Sequence, residues 1–187
     1  MHRDDTGHWP SGTPHPAHGR RWACAAMLAA ALALPAQAAK PGEAAPAVSL
    51  PGLNGQTVDL TTYKGKVVVL DFWASWCGPC KQSFPWLNQM QARHGARGLQ
   101  VLAVSVDRRR ADADAFLAQV PANFVVAFDA AGETARRYAI AGMPSTVLIG
   151  ADGRVLLQHS GFRDDDKPAL EAAITAALAQ AGTAARP

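Results

Sequence analysis

Hydrophobic and polar positions along the chain change period several times, and each change marks an element. Residues 66–74, KVVVLDFWA, form an apolar, β-branched run interrupted by one acidic residue, Asp71. Such a run predicts a strand buried on both faces, as in a parallel or mixed sheet. Residues 99–107, LQVLAVSVD, repeat that pattern, and 124–129, FVVAFD, predict a shorter strand. Phe84, Leu87 and Met90 stand at helical spacing and predict a helix over 78–94 that ends near Gly95. Pro85 lies inside it and predicts a kink. A second helix is expected over 111–119, started by the region from Asp107 to Asp112, and a short third one over 133–138. Residues 145–150 and 154–160 read as a hairpin across Ala151-Asp152-Gly153. A last helix over 167–180, capped by Asp165 or Asp166, carries Leu170, Ile174 and Leu178 on one face. Ahead of all these, the Pro/Ala-rich stretch 40–51 reads as extended, and Asn54-Gly55 before the alternating residues 56–60 predicts a small hairpin. Parallel strands joined by helices, followed by an antiparallel hairpin, imply an α/β fold whose mixed central β-sheet is flanked by helices.

The first forty residues do not fit this alternation. Residues 22–34, WACAAMLAAALAL, are apolar and uncharged, follow Arg20-Arg21, and precede Ala36-Gln37-Ala38. A membrane span needs about 20 such residues, so the run is short. Basic flank, apolar run and small residues at the cleavage positions predict a signal peptide over 1–38, with the folded domain at 39–187. An uncleaved membrane anchor is the alternative. His2, His8, His15 and His18 lie in that segment and are not read as a metal site.

Composition narrows the function. The chain has 187 residues, 49% hydrophobic and 18% charged, which suits one packed domain and excludes global disorder. The net charge is only +3 and no basic stripe is present, which argues against a nucleic-acid partner. Of the three cysteines, Cys24 leaves with the signal, so Cys77 and Cys80 remain, in an oxidising compartment.

Two cysteines separated by two residues serve as zinc ligands or as a redox pair. Structural zinc needs two further ligands, and outside the leader only His94 and His159 are on offer, with no second CxxC. No metal is therefore expected. A redox pair needs one exposed thiolate and one resolving thiol. Cys77 follows a buried strand and stands where a helix opens, so unpaired N–H groups and the positive end of the dipole lower its pKa and make it the nucleophile. Cys80, one turn on, is expected to be more buried and to act as the resolving thiol. Pro79 has no N–H to lose in a first helical turn.

Residues 69–81, VLDFWASWCGPCK, resemble the active-site stretch of thioredoxins, and Pro85 matches the proline that kinks the thioredoxin helix. Gly142-Met143-Pro144-Ser145-Thr146 looks like the cis-proline loop that lies against the CxxC in thioredoxin-like folds. The lead-in 45–50 with its hairpin, and the additional helix and strand over 111–129, are similar to the TlpA/ResA-like branch of the redoxin group. The resemblance implies a periplasmic thiol–disulfide oxidoreductase that reduces client proteins, as in cytochrome c or copper-centre maturation. It implies electrons from a membrane thiol reductase of the DsbD type, no cofactor beyond the Cys77–Cys80 disulfide, and a monomer. Asp71 matches the buried carboxylate that takes the resolving cysteine's proton, and burial is expected to raise its pKa toward neutral. Trp76, Gly78, Pro79, Met143 and Pro144 are implied in substrate binding, with Met143 offering its backbone to an extended client segment. ResA-like reductases usually carry Glu three residues after the second cysteine, where Ser83 stands here.

The other tempting residues have plainer readings: Trp73, Phe84 and Trp86 as packing, and Arg108-Arg109-Arg110 as a solvated charge run. The alternatives to a thiol–disulfide oxidoreductase are a thiol peroxidase and a Cu(I) chaperone. A thiol peroxidase of this scaffold needs Thr three residues before the nucleophile, and Ala74 stands there. A Cu(I) chaperone could use Cys77 and Cys80 as thiolate ligands, but no Met-rich or His-rich tract follows the leader.

Overall fold

The computed structural model describes residues 40–184. The expected signal peptide lies outside them. The described chain builds β1 (Ser49–Pro51), β2 (Thr57–Asp59), β3 (Val67–Trp73), α1 (Cys80–His94), β4 (Leu99–Ser105), α2 (Arg110–Gln119), β5 (Val125–Phe128), α3 (Glu133–Arg137), β6 (Ser145–Ile149), β7 (Val155–Ser160) and α4 (Lys167–Ala184). Every strand and helix expected from the pattern is present, with ends shifted by a few residues.

β1 and β2 pair as the expected hairpin, separate from a five-stranded sheet of order β5-β4-β3-β6-β7. β3 runs parallel to β4 and β4 parallel to β5, while β6 and β7 are antiparallel additions. The βαβ crossovers place β3 at the centre, with hydrogen-bonded neighbours on both sides. This explains why its sequence is apolar at almost every position: all seven of its residues are buried. Successive side chains enter opposite layers. Val67, Val69 and Trp73 join a core with residues of α1, α2 and α4, including Phe84, Phe116 and Ile174. Val68, Leu70 and Phe72 join a second core with Val48, Val58 and Tyr138. Tyr138 further ties the lead-in down by donating its hydroxyl to the Pro46 carbonyl at 2.7 Å.

Two local expectations are corrected and a third is refined. α1 begins at Cys80, so Gly78 and Pro79 form the turn before it. Neither Asp165 nor Asp166 caps α4 from outside. Both lie in a 3-10 turn that runs into the helix, and the Asp166 carboxylate accepts the Arg163 N–H at 2.7 Å. α2 starts at Arg110, inside the expected 107–112 region and with Asp112 in its first turn, whereas the Asp107 carboxylate at the region's other end is turned inward and engaged elsewhere. In the arginine run, Arg110 also departs from a purely solvated reading. It donates to the Leu53 carbonyl at 2.8 Å and stacks 3.8 Å over Phe128, joining the β1–β2 hairpin to α2.

Candidate active site

β3 ends at Trp73, and the chain leaves the sheet through Ala74 and Ser75 before reaching Cys77. Cys77 and Cys80 are joined as a disulfide with their Cα atoms 5.3 Å apart. The Cys77 sulfur accepts the Cys80 backbone N–H at 3.2 Å, while Cys77's own N–H donates to the Ala74 carbonyl. The first N–H of α1 is therefore aimed at the outer sulfur. A thiolate there gains a charge-assisted hydrogen bond together with the helix N-terminal field. Cys80 is fully buried, as expected, but Cys77 is only 3% exposed rather than open. Its neighbours supply the access: Trp76 is 71% exposed, and Gly78 and Pro79 are exposed beside it. A Cβ on Gly78 would meet nothing within 4 Å, so glycine leaves open surface at that point.

The Met143–Pro144 bond is cis. Its loop is held by Ser145, whose hydroxyl donates to the Gly142 carbonyl at 2.8 Å, and by the Gly161 N–H, which donates to the Pro144 carbonyl. Pro144 is buried and Met143 half-buried, packed against both cores. Among the described residues, the Met143 backbone takes no part in the hydrogen bonds that fasten this loop.

Asp71 lies in mid-β3, with the parity of Val69 and Trp73, so it enters the layer that holds both cysteines. It is completely buried. The Thr146 hydroxyl on β6 donates to Oδ1 at 2.8 Å, and Oδ2 has no partner among the described residues. Burial raises its pKa to about 7, and the Thr146 hydrogen bond opposes part of that rise. A carboxyl poised there can exchange a proton near neutral pH.

Several participants were not legible in the sequence. Thr146 meets Asp71 only because β6 pairs with β3 in that register. Ser83, standing where ResA-like reductases usually carry Glu, is buried and donates its hydroxyl back to the Cys80 carbonyl at 3.2 Å. Asp107 is buried against Ser75, two residues before Cys77. Trp73, Phe84 and Trp86 are packing, as read: Trp73 meets Phe84 edge-on at 5.0 Å, and Trp86 packs on Phe162. Among the described residues no cluster of His, Cys, Asp and Glu could hold a metal ion, and no helix is long and apolar enough to cross a membrane.

Residues 40–174 match the family described as Redoxin. The thiol-disulfide oxidoreductase ResA of Bacillus thuringiensis is 32% identical over 120 residues, covering 64% of this chain and 69% of that protein. The crystal structure of a Chlorobium tepidum protein described as a thiol:disulfide interchange protein DsbE superposes with a TM-score of 0.74. It is 57% identical and covers 75% of this chain and 99% of that one. The thioredoxin domain of a thiol-disulfide oxidoreductase from Bacteroides vulgatus gives 0.65 at 26% identity, over 72% of this chain and 98% of that one. The fold is thioredoxin-like.

Proposed function

We infer, given that this chain belongs to the Redoxin family and is a thiol–disulfide oxidoreductase acting on disulfide-bearing client proteins, that it works outside the cytoplasm as a reductase. The observation that carries the direction of attack is the Cys80 N–H aimed at the Cys77 sulfur. In the reduced protein that donor stabilises a Cys77 thiolate. The thiolate attacks one sulfur of a client disulfide, and the other client sulfur leaves as a thiolate. Asp71, unprotonated, takes the proton of Cys80. The Cys80 thiolate then attacks the Cys77 sulfur, the second client sulfur departs, and the Cys77–Cys80 disulfide forms. Two electrons have passed to the client.

Trp76, the open surface over Gly78 and Pro79, and the Met143–Pro144 loop receive an extended client segment, with strand-like pairing to the Met143 backbone. Export by residues 1–38 places the domain in the periplasm, where a membrane thiol reductase of the DsbD type re-reduces it. Apocytochrome c and copper-centre assembly proteins are the clients that fit a reductant in that compartment. A Cys80→Ser variant in intact cells tests the reading. It should accumulate mixed disulfides through Cys77, identifiable by mass spectrometry, while Cys77→Ser accumulates none. Adducts that persist without Cys77 would refute the assignment. Electron supply is checked by the redox state of the Cys77–Cys80 pair in cells lacking the membrane reductase, where it should be oxidised.

A further inference from the structure

We propose that Asp107 is the positioning residue that holds the Cys77 loop in its reactive geometry, an inference that rests on Cys77 being the attacking thiol. Asp107 follows β4 by two residues and is 6% exposed. Its Oδ2 accepts the Ser75 backbone N–H at 2.9 Å and the Ser105 hydroxyl at 3.0 Å, and its Oδ1 accepts the Ser75 hydroxyl at 2.8 Å. The Asp107 N–H returns to the Ser105 hydroxyl oxygen at 3.2 Å. One carboxylate thus gathers both donors of a residue 32 positions away in the chain.

The placement matters because the sheet stops helping at that point. The Val106 N–H to Trp73 carbonyl bond, 2.9 Å, is the last rung beside β3. Beyond it the chain runs through Ser75 and Trp76 to Cys77 as a loop. Among the described residues, Asp107 supplies the only side chain from outside this stretch that hydrogen-bonds to residues 74–79. Two residues past Ser75, the Cys77 sulfur sits under the Cys80 N–H at 3.2 Å. Hydrogen bonds of that length weaken steeply with misalignment. A loop released at Ser75 loses the alignment, and the Cys77 thiol returns toward its ordinary pKa. Other charged groups face the same loop: Lys81 on the first turn of α1, and Asp112 of α2, which lines a groove with Ser75 and Lys81 and is paired to Arg109. None of the substitutions below changes them.

Geometry and charge are separable here. In Asp107→Asn the side-chain carbonyl still accepts from the Ser75 N–H and the Ser105 hydroxyl, and the amide donates to the Ser75 hydroxyl oxygen, so the clamp survives without its charge. Asp107→Ala removes the clamp. Ser75→Ala removes only the hydroxyl contact. The experiment is the pH profile of Cys77 alkylation by iodoacetamide in the reduced full chain, with the modified cysteine identified by peptide mass spectrometry and the melting temperature recorded alongside.

Wild-type Cys77 should titrate below the ordinary thiol value of about 8.5. Asp107→Ala should move the profile upward and slow alkylation at neutral pH about tenfold, Ser75→Ala about threefold, and Asp107→Asn less than about twofold. A melting temperature that falls in Asp107→Ala with an unmoved profile overturns the proposal, since the residue is then merely structural. A profile in Asp107→Asn displaced as far as in Asp107→Ala overturns it in favour of charge. If Asp107→Ala does not fold, an unmoved profile in Ser75→Ala overturns it alone. Wild-type Cys77 reacting as an ordinary thiol instead refutes the functional reading on which the inference rests.

Discussion

Asp71 should make the stability of the oxidised protein depend on pH in a defined direction. Its carboxyl is buried completely, and burial raises its pKa from 3.8 to about 7. The unfolded chain releases this proton near pH 4, whereas the folded chain holds it until near pH 7. Between those values the native state binds the extra proton, so stability falls as pH rises, by about 1.4 kcal/mol per pH unit from this group. The shift of roughly three units corresponds to about 4 kcal/mol, fully expressed above pH 7 and absent below pH 4. Asp71→Asn removes the titration. The variant keeps the Thr146 hydroxyl contact and adds an unpaired buried amide N–H, which costs about 1–3 kcal/mol at every pH. The pH-independent part is therefore an offset, and the prediction lies in the slope. Urea unfolding of the oxidised wild type and of Asp71→Asn, from pH 4 to 8, should show the stability difference moving by about 4 kcal/mol in favour of the variant. All other groups titrate alike in both proteins and cancel. A difference constant within about 1 kcal/mol across that range would falsify the assignment of a raised pKa to this carboxyl. On the proposed role of Asp71 as proton acceptor for Cys80, the same variant should resolve mixed disulfides more slowly.

Further expectations test other parts of the structure. Phe84 is fully buried against Trp73, Phe116 and Phe124, so Phe84→Ala should destabilise the domain by about 3–5 kcal/mol in chemical denaturation. A loss under 1 kcal/mol would mean the cluster repacks. Trp76→Ala should leave stability within about 0.5 kcal/mol, since the ring is 71% exposed. It should raise KM for a protein disulfide while sparing a small aromatic disulfide, and equal loss on both substrates would count against a docking role. Tyr138→Phe should cost about 1 kcal/mol by removing the hydroxyl bond to Pro46, and a neutral change would show that the lead-in is held by packing alone.

Much of the fold was legible because the information is periodic and local. Residues 67–73 announce a strand buried on both sides by being apolar at six positions of seven, and no exposed strand or helix tolerates that pattern. The CxxC at a strand-to-helix junction announces its chemistry in the same way. Carboxylates near helix starts are less legible. Of the two carboxylates bounding the stretch expected to start α2, Asp112 lies in its first turn and Asp107 does not, and neither Asp165 nor Asp166 caps α4 from outside. An acidic side chain near a helix start has several possible partners, and local sequence does not rank them.

The sequence by itself determined the order of elements, the reactive pair and the acidic residue buried in the strand that leads to it. Tertiary structure decided whom each of these meets. Sheet register set Thr146 opposite Asp71. Chain return after β4 carried Asp107 to Ser75, and the Met143–Pro144 loop reached its place through antiparallel β6. Periodicity reports which face of an element is apolar. Partners across tens of residues depend on register and crossover, which emerge only once the faces have packed.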